Sequence, residues 1–236
     1  MAYGPDQILE GLGKSDYERY IRTPELLSLQ KSPDQWLHRD ELLFAITHQT
    51  AELWLKLAVS EAYEIANYLA AGNIRMGLRL VPRILMCIDF AEKGMAMLDQ
   101  MTPWDYQQVR RALGHGSGFD SPGFNAIRKA IPTLGKEFHR LLGEEKVELL
   151  TIFLEHEKYD ELFSLAQALL EIDQAMFLWR QRHFKIVERS IGTKVSGTQG
   201  TPVEVLSKLN SFNFFPELWD IRTTITNHAI AEEGEN

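Results

Sequence analysis

Cysteine is nearly absent from this chain of 236 residues, which contains only Cys87. A single thiol excludes an internal disulfide, a Cys-x-x-Cys metal site and covalent haem attachment. It is typical of proteins in a reducing compartment. The chain also lacks an N-terminal signal pattern and any apolar run approaching the ~20 residues of a membrane span. These absences predict a cytoplasmic protein that does not cross a membrane.

Strongly basic segments are missing as well. The chain has 25 Lys and Arg against 33 Asp and Glu, so its formal net charge is -8. The acidic residues are spread through helix surfaces and do not form a tail, which argues against nucleic acid or an anionic membrane as a partner. With 44% hydrophobic residues, the chain can bury one sizeable core. We expect one domain over 1–236, with 1–16 and 232–236 flexible.

Strand-like alternation, internal repeats and low-complexity linkers are not seen. Apolar residues instead recur at helical spacing, so the predicted fold class is all-α, a bundle of long helices. The expected helical segments are 17–21, 24–27, 40–71, 75–100, 103–113, one starting at 122, 144–158, 160–190, 205–209 and 216–222.

Two histidines lie on apolar helix faces. His48 shares a face with Phe44, Ala51 and Leu55 in the first long helix. Taken alone, such a histidine is more often a core residue with a hydrogen-bond partner than a functional group. His183 lies on the apolar face of the helix over 160–190. Together they leave open a site between helices in which one neutral imidazole ligates a metal or haem and the other faces the open side.

Other familiar catalytic patterns do not occur. There is no Glu-x-x-His pair, no His-Glu-x-x-His motif and no Gly-x-Ser-x-Gly elbow. After a clear helix start at Thr102 and Pro103, Tyr106 and Arg110 fall on one face. Arg110 can be read as a surface ion pair or as a fork that binds a substrate carboxylate through two bonds. The residues alone do not decide between these two readings.

Several short motifs together resemble the tryptophan 2,3-dioxygenase family. They occur in the same order and with matching internal spacing, and the resemblance covers about residues 17–222. The motifs are the segments 40–44, 47–49, 52–54, 101–103, 117–119, 182–183, 187–189 and 191–192.

The resemblance implies an all-helical, cytoplasmic homotetramer with haem b as cofactor. Members of this family insert both atoms of O2 across the indole C2–C3 bond of L-tryptophan and form N-formyl-L-kynurenine. By matching position, His183 resembles the proximal haem ligand and His48 the distal histidine that hydrogen-bonds the indole N–H. Phe44 resembles the ring beside the indole. Arg110 resembles the group that holds the substrate carboxylate, with Tyr106 one turn before it.

Three further parts of the pocket are implied by the resemblance alone. Ser117 matches the serine of the family loop near the haem and its ligand. Thr198 matches the hydroxyl that meets the substrate ammonium and a haem propionate. Tyr17, Tyr20 and Ile21 match an N-terminal stretch that completes the pocket of a neighbouring subunit. A homotetramer with this segment exchanged between subunits is therefore expected.

The physical chemistry of these residue types agrees with the implied roles. Proximal ligation needs an uncharged imidazole, and the apolar face around His183 favours that form. The flanking Arg180 and Arg182 could meet haem propionates. Arg110 and Thr198 together would select an α-amino acid by its two opposite charges.

The chain departs from the family pattern around the expected pocket. The family loop Gly-Thr-Gly-Gly-Ser-Ser-Gly is replaced by Gly-Thr-Gln-Gly-Thr-Pro-Val over 197–203. His115-Gly116 stands in place of Pro-Ala, Asp120 in place of glutamine, and Trp104 in place of leucine.

These departures keep more than one function open. Because Phe44, His48 and Arg110 are retained, tryptophan is the first choice of substrate. The alternative is a related haem-dependent oxygenase, including a monooxygenase, that acts on a substituted tryptophan or another aromatic amino acid in natural-product biosynthesis. A haem-binding or sensor protein without turnover, and a helical bundle without a cofactor, belong to different functional classes.

Overall fold

The computed structural model describes residues 9–197, 199–200, 202–203 and 211–234. Its helices confirm the predicted all-α class. Within these ranges, the only β pairing is an isolated antiparallel bridge between Ser196 and Pro202, and no helix is long and apolar enough to cross a membrane. The helices are α1 (Asp16–Ile21), α2 (Thr23–Leu27), α3 (Glu41–Ala70), α4 (Ile74–Leu78), α5 (Val81–Met95), α6 (Pro103–Ala112), α7 (Pro122–Glu145), α8 (Leu149–Leu154), α9 (Asp160–Ile191) and α10 (Pro216–Gly234).

The start of α6 follows the predicted capping chemistry. Thr102 Oγ1 accepts a hydrogen bond from the backbone N–H of Asp105 at 3.2 Å and donates one to Asp105 Oδ2 at 2.7 Å. Pro103 occupies the first position of the helix, where its missing N–H is not needed. This cap fixes where α6 begins, and the spacing of four residues within the helix places Tyr106 and Arg110 on one face.

The segment predicted as one helix over 75–100 is divided in the structure. Helix α4 ends at Leu78, α5 begins at Val81, and a short 3₁₀ turn covers Leu98–Gln100. Pro82 has no N–H to donate to the carbonyl of Leu78, so a continuous helix would lose a bond there. In the first turn of a new helix the same proline is well tolerated.

The C-terminal helix is longer than its apolar pattern indicated. We expected a helix over 216–222 and flexible residues from 232, whereas α10 extends from Pro216 to Gly234. Most residues beyond 222 are exposed. Because this part of the helix has little buried surface, it shows no apolar stripe from which a helix could be predicted. Their alanine and glutamate residues favour a helix by intrinsic propensity. The helix predicted over 205–209 lies outside the described residues.

The hydrophobic core is formed mainly by α3, α5, α7 and α9. Helices α3 and α7 approach each other closely at Gly123, the second residue of α7. A Cβ atom at this position would lie 2.6 Å from Glu52 Oε2 and 2.9 Å from Leu55 Cβ. Any larger residue would force the two helices apart. The largest completely buried core side chains are Leu55, Ile65, Leu69, Ile84, Ile127, Ile131, Leu134, Phe138, Ile152, Leu165, Leu169 and Phe215.

Asp173 joins the last helix to α9. This aspartate is 1% exposed, and its carboxylate accepts hydrogen bonds from the backbone N–H groups of Phe214 and Phe215 and from the indole N–H of Trp219, at 3.0 to 3.2 Å. These donors surround the start of α10, where the helix dipole also favours a negative charge. The buried carboxylate therefore anchors α10.

Asp173→Ala is expected to lower the free energy of unfolding by at least about 3 kcal/mol, because it leaves buried donors without an acceptor. Urea denaturation followed by circular dichroism measures this loss. The matched control is Glu171→Ala, an exposed acid on the same helix, which should change the stability by no more than about 0.5 kcal/mol. Equal stability of the two variants would contradict this role of Asp173.

Candidate functional site

One wall of the candidate site is formed by Phe44 and His48, one turn apart on α3. Their rings are stacked, with centroids 4.0 Å apart and an interplanar angle of 28°. His48 Nδ1 lies 2.7 Å from the carbonyl oxygen of Phe44. Since a carbonyl oxygen can only accept, Nδ1 must carry the proton and donate it. In the neutral ring, Nε2 is then left with a free lone pair.

His48 lies outside the hydrophobic core. The side chain of His48 is exposed to solvent, so His48 is not a residue of the core. The surrounding protein nevertheless desolvates the ring and lowers the pKa of His48, while the hydrogen bond to Phe44 and the charge of Glu52 act in the opposite direction. The imidazole is therefore neutral at pH 7, with Nε2 as a hydrogen-bond acceptor.

Tyr106 and Arg110 extend this wall on α6. The rings of Tyr106 and Phe44 are 6.3 Å apart. Burial raises the pKa of Tyr106, and the positive charge of Arg110 partly opposes this shift. Arg110 Nη2 donates a hydrogen bond to the carbonyl oxygen of Ser196 at 3.1 Å. Within the described ranges Arg110 forms no ion pair, so the reading as a surface ion pair is not supported.

Ser117 begins a 3₁₀ turn between α6 and α7. Its Oγ accepts from the N–H of Phe119 at 3.3 Å, and its own N–H donates to Asp120 Oδ2 at 3.1 Å. Gln199 Nε2 also donates to Asp120 Oδ2 at 2.7 Å and to the carbonyl of His115 at 3.1 Å. The segment that contains Gln199 is thus held against this turn.

A second wall of the candidate site is formed by His183 on α9. A Cβ atom at Gly118, the residue after Ser117, would lie 4.0 Å from His183 Nε2. Behind the imidazole, Trp179 is almost parallel to it, with an interplanar angle of 8° and a centroid distance of 5.3 Å. Trp179 in turn stacks on Phe124 at 3.7 Å. The imidazole is therefore backed by two aromatic rings and faces a residue without a side chain.

Burial, together with the charge of His48, lowers the pKa of His183 to about 4. The ring is therefore neutral and able to ligate a metal. Within the part of the chain that the structure describes, no hydrogen bond is formed by either ring nitrogen. The two histidines are linked through contacts: Glu52, one turn after His48, accepts from Ser121 Oγ, and the 3₁₀ turn that leads into Ser121 contains Gly118, which lies beside His183.

These features fit a haem. A site built only from protein ligands needs several donors, but among the described residues the only group of three or more His, Cys, Asp or Glu side chains with ligand atoms close together is His38, Asp40 and Asp105. His183 is not part of it. A haem brings four nitrogen ligands of its own and requires only one axial imidazole. His183 could supply that imidazole, and Gly118 keeps the space beside Nε2 free of a side chain.

The basic residues beside His183 have other partners. Arg182 forms an ion pair with Asp99, and Arg180 Nη2 donates to the carbonyl oxygen of Phe212 at 2.7 Å. Arg182 is thus paired with a carboxylate, whereas Arg180 keeps other N–H groups available, among them Nε, which has no hydrogen-bond partner among the described residues; a contact of either residue with a haem propionate stays a prediction.

The three N-terminal residues predicted to complete the pocket of a neighbouring subunit are exposed in the single chain. Tyr17, Tyr20 and Ile21 lie on α1, which has no buried residue, and they are 71%, 78% and 44% exposed. Thr198 lies outside the described residues, so its role stays a prediction.

Two contributors to the site were not recognised in the sequence. Glu52 follows His48 by one turn, and Trp179 precedes His183 by one turn. Glu52 Oε1 accepts from Ser121 Oγ, and Oε2 accepts from the N–H of Gly123 at 2.8 Å. Each of these residues lies four positions from a histidine on the same helix, which predicts that the two share a helix face. The spacing does not predict which residue of another helix that face contacts.

Comparison with known proteins identifies the family of this chain. The family model described as "Tryptophan 2,3-dioxygenase" matches residues 5–141 and 138–225. The tryptophan 2,3-dioxygenase of Myxococcus xanthus is 28% identical over 273 residues, with 94% of each chain covered. That of Arthrobacter sp. is 28% identical, covering 93% of this chain and 95% of its own. The tryptophan 2,3-dioxygenase of Saccharopolyspora erythraea is 30% identical, and the match covers 89% of this chain and 92% of that enzyme. The chain therefore belongs to the tryptophan 2,3-dioxygenase family.

Proposed function

We propose that this protein is a haem-dependent dioxygenase that inserts O2 across the indole C2–C3 bond of L-tryptophan or a close analogue. The product would be of the N-formylkynurenine type. The observation that carries this proposal is the pair of neutral imidazoles, His48 and His183, which are linked through Glu52, Ser121 and the turn that contains Gly118. Family membership and the names of the relatives support the same reaction.

His183 would hold the iron of haem b through Nε2, the nitrogen next to Gly118. The haem, when bound, supplies the activation of O2 for attack on the electron-rich indole ring. Because desolvation keeps the ring of His183 neutral, ligation requires no loss of a bound proton at pH 7. Trp179 packs against the imidazole and restricts its rotation.

His48 would orient the indole. Its Nδ1–H is engaged by the carbonyl of Phe44, so Nε2 is directed to accept the indole N–H. The depressed pKa makes His48 a weak base, which suits positioning better than removal of a proton. Phe44 would pack beside the substrate ring, with Tyr106 as the next aromatic neighbour.

Arg110 would bind the substrate carboxylate. Its Nη2 donates to the carbonyl of Ser196, which holds the guanidinium in place while other N–H groups stay available for a two-bond contact. Ser117 would lie at the turn beside the haem. Recognition of the ammonium group by Thr198 stays a prediction.

The assembly is proposed to be a homotetramer with exchanged N-terminal segments. Tyr17 and Tyr20 are large side chains exposed on a helix that buries nothing within its own chain. Contact with a neighbouring subunit would cover them and complete its pocket. The cytoplasmic location stays a prediction.

A second candidate is a related oxygenase of a substituted tryptophan or another aromatic amino acid. The specific observation in its favour is that two departures from the family pattern contact each other: the side chain of Gln199 donates to the carboxylate of Asp120, and also to the backbone carbonyl of His115. A changed loop next to Ser117 could alter which substituents fit. A haem-binding sensor without turnover is separated from both enzymes by the tests below.

His183→Ala is expected to abolish the Soret band of purified, haem-loaded protein, because the imidazole that would hold the iron is removed. The matched control is His139→Ala, since His139 is exposed and pairs with Glu217. That variant should keep the full band. A Soret band of unchanged position and intensity in His183→Ala would contradict proximal ligation by His183.

Arg110→Ala is expected to lower kcat/KM for L-tryptophan by about 10- to 100-fold, the loss of about 1.5 to 3 kcal/mol of charged hydrogen bonding. It should also abolish the substrate-induced shift of the Soret band. Product formation is followed by the absorbance of formylkynurenine. Arg111→Ala, an exposed neighbour, serves as the control. Unchanged kinetics in Arg110→Ala would disprove carboxylate binding, and a band shift without any turnover would favour a sensor.

Isotopically labelled O2 is expected to place both oxygen atoms in the product formed from L-tryptophan. Mass spectrometry of that product measures this directly. Incorporation of one atom would indicate a monooxygenase. No product from L-tryptophan, together with turnover of a ring- or β-substituted analogue, would favour the second candidate.

A further inference from the structure

Glu52 connects the two walls of the candidate site through an unbroken series of contacts. It lies on α3, one turn after His48, and its carboxylate crosses to the first turn of α7. There it accepts hydrogen bonds from Ser121 Oγ and from the N–H of Gly123. Both carboxylate oxygens are therefore committed to the same helix terminus.

The contact between α3 and α7 has little freedom to change. Ser121 Oγ caps α7 by accepting from the N–H of Phe124 at 3.2 Å, and it also donates to Glu52. These two hydrogen bonds fix the position of the hydroxyl group. At Gly123 the helices are too close for any side chain. The helix dipole adds to the attraction of the carboxylate for this terminus. Glu52 thus sets where α7 begins relative to His48.

Two structures that surround His183 are attached to this point. Phe124, in the first turn of α7, stacks on Trp179, which is parallel to the imidazole of His183. On the other side, the 3₁₀ turn that contains Gly118 leads directly into Ser121. A movement at the start of α7 would therefore shift both the ring behind His183 and the glycine in front of it.

Capping alone does not explain the glutamate. Ser121 already serves as the N-cap of α7, and placing a carboxylate between two packed helices carries a desolvation cost. We propose that Glu52 is a positioning residue that sets the separation between the His48 and His183 walls, and with it the fit of the haem. This inference rests on the proposed function, because it assumes that a haem binds between these walls.

Glu52→Gln tests the proposal. Glutamine keeps the size of the side chain but has no charge and only one acceptor oxygen, so it cannot accept from both Ser121 Oγ and the N–H of Gly123, and the attraction of a negative charge for the start of α7 is lost. In the haem-loaded protein, transfer of haem to apomyoglobin should become about tenfold faster, as for other residues that support a metal ligand. The infrared stretching band of CO bound to the ferrous protein should also shift or broaden, since it responds to the polar groups of the distal wall.

The matched control is Asp173→Asn, which weakens another carboxylate at a helix start, that of α10, away from this series of contacts. Both variants should unfold at a lower denaturant concentration than the unsubstituted protein. Only Glu52→Gln should change haem transfer and the CO band. If Glu52→Gln leaves both unchanged, or if Asp173→Asn changes them equally, Glu52 is a helix cap and the proposal fails.

Ser121→Ala provides a second route if Glu52→Gln does not fold. It removes the donor to Oε1 and the cap of Phe124 but keeps the carboxylate and its bond to Gly123, so a change of the same two readouts is expected. Unaltered readouts in that variant would overturn the proposal. If the unsubstituted protein binds no haem, the proposed function and this inference fail together; if it binds haem and oxidises tryptophan, an unchanged Glu52→Gln refutes the inference alone.

Discussion

The close approach of α3 and α7 is the constraint on which the candidate site depends. These helices meet where Gly123 has no side chain and where the carboxylate of Glu52 spans the remaining distance. Apolar packing could hold two helices together at several registers, since it is not directional. The two hydrogen bonds to the carboxylate of Glu52 can form in only one of these registers. The register of α7 relative to His48 is therefore set by polar atoms at the edge of an apolar core.

Both histidines of the candidate site are neutral at pH 7. The pKa values of His48 and His183 are both lowered, in each case chiefly by desolvation. Their hydrogen bonding differs: His48 uses Nδ1 within its own helix, whereas His183 has no such bond in the described part of the chain. One ring is therefore oriented with a single free acceptor. The other is free to ligate a metal.

The surroundings of the site show that residues of one type can have different roles. Arg110 is held by a backbone carbonyl, whereas Arg182 is paired with Asp99. Only the first keeps its charge free of a carboxylate partner, which suits an anionic substrate. Likewise, Asp173 stabilises α10 while Glu52 joins the walls of the site, although each is a carboxylate at the start of a helix.

The sequence by itself determined the all-α class, the start of α6 and the helix faces of Phe44, His48 and His183, because helical periodicity and capping are local properties. Its motifs also identified the family. Only the tertiary structure decided the partners of Glu52, because those contacts join residues about 70 positions apart. Periodicity states which residues share a face, but packing between distant helices decides what that face meets.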